Sequence, residues 1–260
     1  YLVWQALLRE FARDPAAEAV YREMSLAYLC ELQLEQEEAG IRVDGAVARA
    51  LYAEYTAKIA QAEKLAYAYA GWPINLQSSK QMQTRLYDVE KLPVQKKKAR
   101  RWAAAPATVD KDAIAALRRL QGTDWDPDEP PTLESAWAAI EAGGHPLLEA
   151  RYLHMNAKQV VGHYLGPCLE LDANDAIVGP KERIFPETRL HVQETGRHSY
   201  VKPALSQFKG PVLGVIVPDV GSVWIGHDWS NVETWLLGYL ARDEAILEAK
   251  ANGWDTHTVN

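Results

Sequence analysis

The chain changes texture at Leu171, and that change limits its fold more than any other feature. Before it, apolar residues recur at helical spacing over long stretches. After it, short β-branched pieces alternate with Gly, Pro, Asp and Asn, as in "AIVGPKERIFPETRLHV" and "GPVLGVIVPDVGSVWIG". The first pattern buries a stripe along a helix and the second buries one face of a strand. The expected class is α+β: a helical region, then an antiparallel sheet with a helix packed on it.

Within the helical part, Asp14-Pro15 opens a pattern carried by Val20, Met24, Ala27, Leu29, Leu32 and Leu34, and Gly40 stops it. "IRVD", ending at Asp44, reads as a short extended piece. A long helix is predicted from about Ala46 to Ala70, closed by Gly71 and Pro73. Ser78 or Ser79 can cap a short helix with Lys80 and Gln81 in its first turn. A third long helical pattern runs from about His145 to Leu169. "VQKKKARRW" is the densest basic stretch, and such a run is more often a solvated loop than a phosphate site. "GTDWDPDEPPT" is acidic, proline-rich and loop-like.

Composition excludes several classes. The 260 residues, 48% of them hydrophobic, allow one large domain or two modest ones. Cys30 and Cys168 are the only cysteines, too few for a disulfide scaffold or a cysteine-rich zinc site. The net charge of -7 argues against a chain that is basic throughout, but a nucleic-acid groove needs clustered charge, not total charge. No apolar run reaches the ~20 residues of a membrane helix, and Val212 to Gly226 is broken by Pro218 and Asp219. No membrane partner is expected, and no signal peptide is evident, so an intracellular location is expected. Both ends read as cut from something longer. There is no internal repeat, glycine-rich phosphate loop, nucleophile elbow or His-Glu-x-x-His. His154 and His163 are too far apart for an i, i+4 metal pair.

"DWSNVE" carries the chemical question. Val223 to Asp228 reads as the end of a buried strand, and helix resumes after it. Asp228 therefore ends a strand, and Glu233 follows in the first helical turn. Taken alone, these carboxylates are ambiguous. A strand-end Asp is often a helix cap, and Ser230 with Glu233 three residues on has the form of a capping box.

The neighbouring motifs bear on that choice. "DWSNVETW" followed by "LLGYLARD" resembles the first palm motif of family A DNA polymerases, Asp-Tyr-Ser-Gln-Ile-Glu-Leu-Arg. "GWDTHT" resembles their Asp-Ile-His, and "TGRHSYVKPAL" their Thr-Gly-Arg with a following Ser and Pro. "AGIRVD" and "INLQSSKQMQTRLY" resemble the thumb motifs, and "PATVDKDAIAAL" the Pro-Ser-Thr segment. "LEARYLHMNAKQVVGHYL" resembles the helix that carries Tyr-Arg-x-x-x-Lys. Order and spacing agree over about residues 30 to 260. Departures include Trp229 for the usual Tyr, Trp235 for an Arg, Ala204 and Ser206 for Asn and Gln, and a long insertion from Gly122 to Gly144. The resemblance is to a divergent, phage-type member.

The resemblance implies a right-hand architecture, here incomplete. Residues 1–44 are a lead-in segment, 45–171 a thumb-like helical region, and 172–260 the start of the palm, ending where the fingers would begin. It implies template-directed DNA synthesis by two-metal nucleotidyl transfer, with two Mg2+ ions in the complete site. Asp228 and the Trp229 carbonyl would bind metal. Glu233 would lie under the incoming sugar, and His257 would contact a phosphate of the nucleotide. Asn75, Ser78, Ser79, Lys80, Lys158 and Arg197 would contact DNA. The implied partners are primer-template DNA, deoxynucleoside triphosphates, and the remaining palm and fingers on the same or another chain. The rival reading is the DNA-binding half of a split polymerase, which needs a partner chain for catalysis. A degenerate accessory protein fits less well, because Asp228 and Glu233 are both present.

Overall fold

The computed structural model describes the chain except residues 1, 27, 29–32, 98–104, 124–130, 190–191, 193–196, 227–230 and 254–260. Two compact units are present, residues 1–217 and 218–260.

The first unit opens with α1 (Leu2–Arg13) and α2 (Pro15–Val20). The Asp14 carboxylate caps α2 by accepting from the amides of Ala16 and Ala17. The expected run to Gly40 is not one uniform helix. It passes through a π-helical turn, Tyr21–Leu26, before α3 (Leu34–Ala39). Gly40 ends α3 at φ 62, where a Cβ would stand 2.6 Å from the Phe185 ring and 2.9 Å from the Ile184 carbonyl oxygen. No other residue fits that conformation at that approach.

"IRVD" is extended, as predicted, because it has partners on two sides. β1 (Ile41–Arg42) pairs antiparallel with Arg183–Ile184, while the Asp44 amide donates to the Val215 carbonyl and the Val217 amide to the Arg42 carbonyl. Asp44 then caps α4 (Gly45–Ala70) through the amides of Ala46 and Val47, and Gly71 closes the helix in the left-handed region. Caps of this kind satisfy amides and carbonyls that have no partner within the helix.

After α4 come α5 (Ser79–Gln83), a π-helical turn over Thr84–Val89, α6 (Lys111–Leu120), α7 (Leu133–Glu141) and α8 (Pro146–Gln159). Helix α7 lies in the stretch read above only as an insertion. Its sequence signal was Thr132 and Ser135, which form a reciprocal capping box at its start. The pattern predicted from His145 to Leu169 is α8 continued by a π-helical turn, Val160–Leu165, and a 3-10 turn, Gly166–Cys168.

Helices α4 and α8 pack along one another and organise two apolar clusters. One joins Leu65, Met82, Leu86, Ile114, Leu117, Leu148 and Leu153. The other joins Tyr52, Tyr55, Val161, Leu165, Leu169, Ile184, Phe208 and Val215. Fully burying a side chain of this size contributes about 1.5–3 kcal/mol, so these clusters hold the helical layer together.

Beyond Leu171 the mixed helical and antiparallel composition is as expected, although the strands form separate pairs and not one sheet. β2 (Leu169–Leu171) pairs with β3 (Ile177–Pro180), β4 (Arg183–Ile184) with β1, and β5 (Glu187–Arg189) with β6 (Ser199–Val201). The Arg183 guanidinium donates to the Ala39 and Gly40 carbonyls at the end of α3. The amide of Thr188 donates to Glu37, whose carboxyl is lowered chiefly by that bond.

Two strand expectations fail. "GPVLGV" is a 3-10 turn, Gly210–Val215, and only Ile216 bridges to Val43. Pro211 has no amide to give a ladder. In the second unit, residues 222–226 of the strand expected to run to Asp228 are irregular. A strand needs a hydrogen-bonded neighbour, and among the described residues nothing pairs with this segment. Val223 and Ile225 are accordingly 77% and 88% exposed. The unit continues with α9 (Val232–Ala241) and α10 (Glu244–Ala251), the latter capped by Asp243. Gly238 lets the side chains of Ile246 and Leu247 close on α9, since a Cβ there would lie 2.9 Å from Leu247.

Candidate nucleic-acid interface

The loop from α4 to α5 is knitted by its own polar groups. The Asn75 amide donates to the Gln81 side-chain oxygen at 3.0 Å, and the Gln77 amide donates to the Asn75 side-chain oxygen at 2.8 Å. The Ser78 hydroxyl accepts from the Gln81 amide and caps α5. Asn75 and Ser78 therefore set the shape of this tip. Ser79 and Lys80 stand exposed in the first turn of α5.

The tip meets α8 at an open pocket of about 530 Å3. Gln77, Arg151, His154, Lys158, His163 and Gln207 are among its lining residues, and no described carboxylate lines it. Arg151, His154 and Lys158 recur at i, i+3 and i+7 on α8, so one helix face presents all three. That spacing was the available sequence signal, and only Lys158 had been singled out as a contact. His154 and His163, too widely spaced for an i, i+4 pair, still come to the same pocket. They form no metal site: among the described residues no group of three His, Cys, Asp or Glu residues is placed to hold an ion.

Arg151 and His154 are 6% and 1% exposed. The Arg151 Nε and the His154 Nδ1 have no hydrogen-bond partner. Burial lowers the affinity of both groups for a proton, and for His154 the nearby Arg151 and Lys158 charges add to this while Glu63 opposes it. The His154 Nε2 lies 3.6 Å from Glu63. Arg151 remains charged at neutral pH.

A second pocket of about 520 Å3 lies nearby, lined by Tyr55, Lys111, Asn156, Tyr164 and Phe208 among others, and it shares Gln159 and Gln207 with the first. The Tyr164 hydroxyl accepts from Gln159 and donates to Gln207, which fixes the wall between them. Burial first, and then the Lys209 charge, hold the Lys111 ammonium below its ordinary value.

Other expected site residues are dispersed. Arg197 is exposed just before β6; its partners Thr195 and Gly196 in the motif lie outside the described residues. In the second unit, Glu233 is exposed at the second position of α9. The N-cap of α9 is Asn231, in the left-handed region and without a side-chain cap bond. The capping-box partner expected for Glu233, Ser230, is not among the described residues. Asp228, Trp229, Ser230 and His257 lie outside the described residues.

The protein-family model described as DNA polymerase family A matches residues 46–260. The chain belongs to DNA polymerase family A. It is 25% identical to DNA polymerase I of Synechocystis sp. over 265 residues, covering 100% of this chain and 24% of that protein. It is 26% identical to the thermostable DNA polymerase I of Thermus thermophilus over 245 residues, covering 88% and 24% respectively. This family A chain therefore spans about a quarter of the length of these relatives. A solved structure described as the POL domain of Pol1 from M. smegmatis, in complex with DNA primer-template and dNTP, superposes with a TM-score of 0.59. It has 25% sequence identity and covers 92% of this chain and 39% of that one. Among the described residues, no helix of the family A chain is long and apolar enough to cross a membrane.

Proposed function

We propose that this chain is the thumb and first palm segment of a DNA-directed DNA polymerase. Family membership over residues 46–260, with Asp228 and Glu233 both present in "DWSNVE", is the observation that carries the reading. In it, residues 45–171 grip duplex DNA through Ser79, Lys80 and Lys158, with Asn75 and Ser78 shaping the tip. Phosphate contacts of this kind position the protein without reading sequence. Arg197 lies toward the minor groove, where every base pair offers acceptors. Glu233 selects the deoxyribose of the incoming nucleotide, and His257 holds a phosphate of it.

The Asp228 carboxylate and the Trp229 carbonyl are hard oxygen donors of the kind Mg2+ requires. Magnesium bound there would supply charge stabilisation for nucleotidyl transfer. One carboxylate is too few for a two-ion site, so the remaining palm and the fingers, on the same or another chain, complete it. The location that goes with this reading is cytoplasmic.

Asp228→Ala in the complete polymerase tests the assignment. Primer extension is expected to be abolished while duplex binding stays near the wild-type level, because phosphate contacts elsewhere dominate affinity. Retained extension by that variant would falsify the metal role.

A further inference from the structure

We propose that His145 is a proton-operated latch, which caps the start of α8 while its ring is neutral and releases the first turn of α8 when the ring takes up a proton. The residue is tied through its backbone and its ring. Its amide donates to the Gln121 side-chain oxygen just past α6, at 2.9 Å. Its carbonyl accepts from the amides of Leu148 and Glu149. Its Nδ1 accepts from the Leu147 amide at 3.2 Å and so caps α8. Its Nε2 lies 3.3 Å from the Tyr69 hydroxyl in the last turn of α4, and 3.4 Å from the Glu90 carboxylate. The His145 and Glu90 side chains are 12% and 16% exposed, so little water stands by to replace a lost bond.

These contacts fix the hydrogen of the neutral ring. An imidazole nitrogen accepts only where it carries no hydrogen, so the capping bond leaves Nδ1 bare and places the hydrogen on Nε2. The groups facing Nε2 agree with that tautomer. The Tyr69 hydroxyl donates to Glu90 at 3.0 Å, which leaves its oxygen to accept from the ring. Arg85 holds the other Glu90 oxygen at 2.7 Å. Burial alone would raise the Glu90 carboxyl, but the Tyr69 and His145 hydrogen bonds and the Arg85 charge outweigh it and hold it below its ordinary value. Burial first, and then Glu90, raise the Tyr69 hydroxyl. Glu90 therefore stays a carboxylate, and Tyr69 keeps its proton, over the range in which histidines titrate.

A further proton can enter the ring only at Nδ1, the atom that caps α8. The charged ring donates from both nitrogens. It loses the Leu147 amide and sets its own N–H against it, at a helix start where the peptide dipoles already oppose a cation. In exchange, the Nε2 hydrogen of a cation now faces the Glu90 carboxylate, and that bond strengthens. The proton thus trades a bond within α8 for a tighter tie to the end of the π-helical turn over Thr84–Val89. The titratable and charged groups facing the ring are Tyr69 from α4, and Glu90 with Arg85 behind it from that turn; α6 contributes the neutral Gln121. Because α4 runs on from Tyr69 into the loop that carries Asn75 and Ser78, the latch stands at the root of the tip.

Amide hydrogen exchange of the whole chain tests the latch, with the His145 ring followed by NMR between about pH 8 and about pH 5. At the upper end the ring nitrogens should report the Nε2–H tautomer. As the ring protonates, protection of the Leu147 amide, corrected for the intrinsic pH dependence of exchange, should fall about fivefold, the weight of one lost cap. Amides in the middle of α4 should hold theirs. H145N keeps a side-chain acceptor at the cap and has no ring to protonate, so its Leu147 protection should stay level with pH. H145A, without a cap at any pH, should show the lower protection throughout, and thermal melting shows that each variant is folded. An Nδ1–H tautomer at the upper end overturns the latch. So does Leu147 protection that stays level through the titration of the wild-type ring. A fall of the same size in H145N assigns the change to another group and overturns it as well.

Discussion

Arg118 on α6 donates its Nε hydrogen to the Glu149 carboxylate on α8 at 2.7 Å, with both side chains withdrawn from water. The guanidinium also lies over the Tyr152 ring, 4.3 Å from its centroid. The pair ties α6 to α8 beside the first apolar cluster, where its cost depends on both charges remaining. Glu149→Ala is expected to destabilise the fold by about 3–5 kcal/mol, because it removes one partner of a buried ion pair. The double variant Arg118→Met, Glu149→Leu should recover most of that loss. Urea unfolding of the single and double variants decides it; equal losses in both would show that the pair matters only as volume.

Cys168 is wholly buried in the second cluster, and burial pushes its thiol up to about 11 from 9.0. The folded state therefore keeps its proton where the unfolded chain would release it. The stabilising contribution is complete below about pH 9 and is lost as pH rises toward about 11. Cys168→Ala should flatten that part of the stability profile. Native protein at pH 8 should alkylate at Cys168 only at the rate of unfolding, and rapid labelling without unfolding would contradict the burial.

Lys80 stands in the first turn of α5, at a tip shaped by Asn75, Ser78 and Gln81. Lys80→Ala should weaken duplex binding equally for all sequences and lower the salt slope by roughly one phosphate equivalent. A changed sequence preference with an unchanged slope counts against a backbone contact.

Glu233→Ala should raise ribonucleotide incorporation relative to deoxyribonucleotide in the complete polymerase. Its place at the second position of α9 favours the helix N-terminus, a contribution of about 0.3–1 kcal/mol that the variant should lose. A variant that melts lower and still prefers deoxyribonucleotides removes the sugar-selecting role.

The ends of helices could be read from the sequence. Asp44 and Gly71 bound α4, and Asp14 and Gly40 bracket the α2–α3 region, because capping is a hydrogen-bond problem solved within one turn of chain. The short extended "IRVD" was legible as a pattern, although the partners that hold it extended, Arg183–Ile184 and Val215 to Val217, come from far along the chain. The fate of "GSVWIG" was not legible, since a strand is made by its neighbour, and no local property of Val223 or Ile225 says whether one is present.

Sequence order and motif spacing determined the family and singled out Asp228, Glu233 and the tip residues. Only the packing of α8 on α4 placed Arg151, His154 and Lys158 against Gln77, and only the docking of α6 brought Arg118 to Glu149, 31 residues away in the chain. Those relations depend on which faces the apolar clusters turn inward. A buried charge finds its partner, or remains without one, only after the clusters have formed around it.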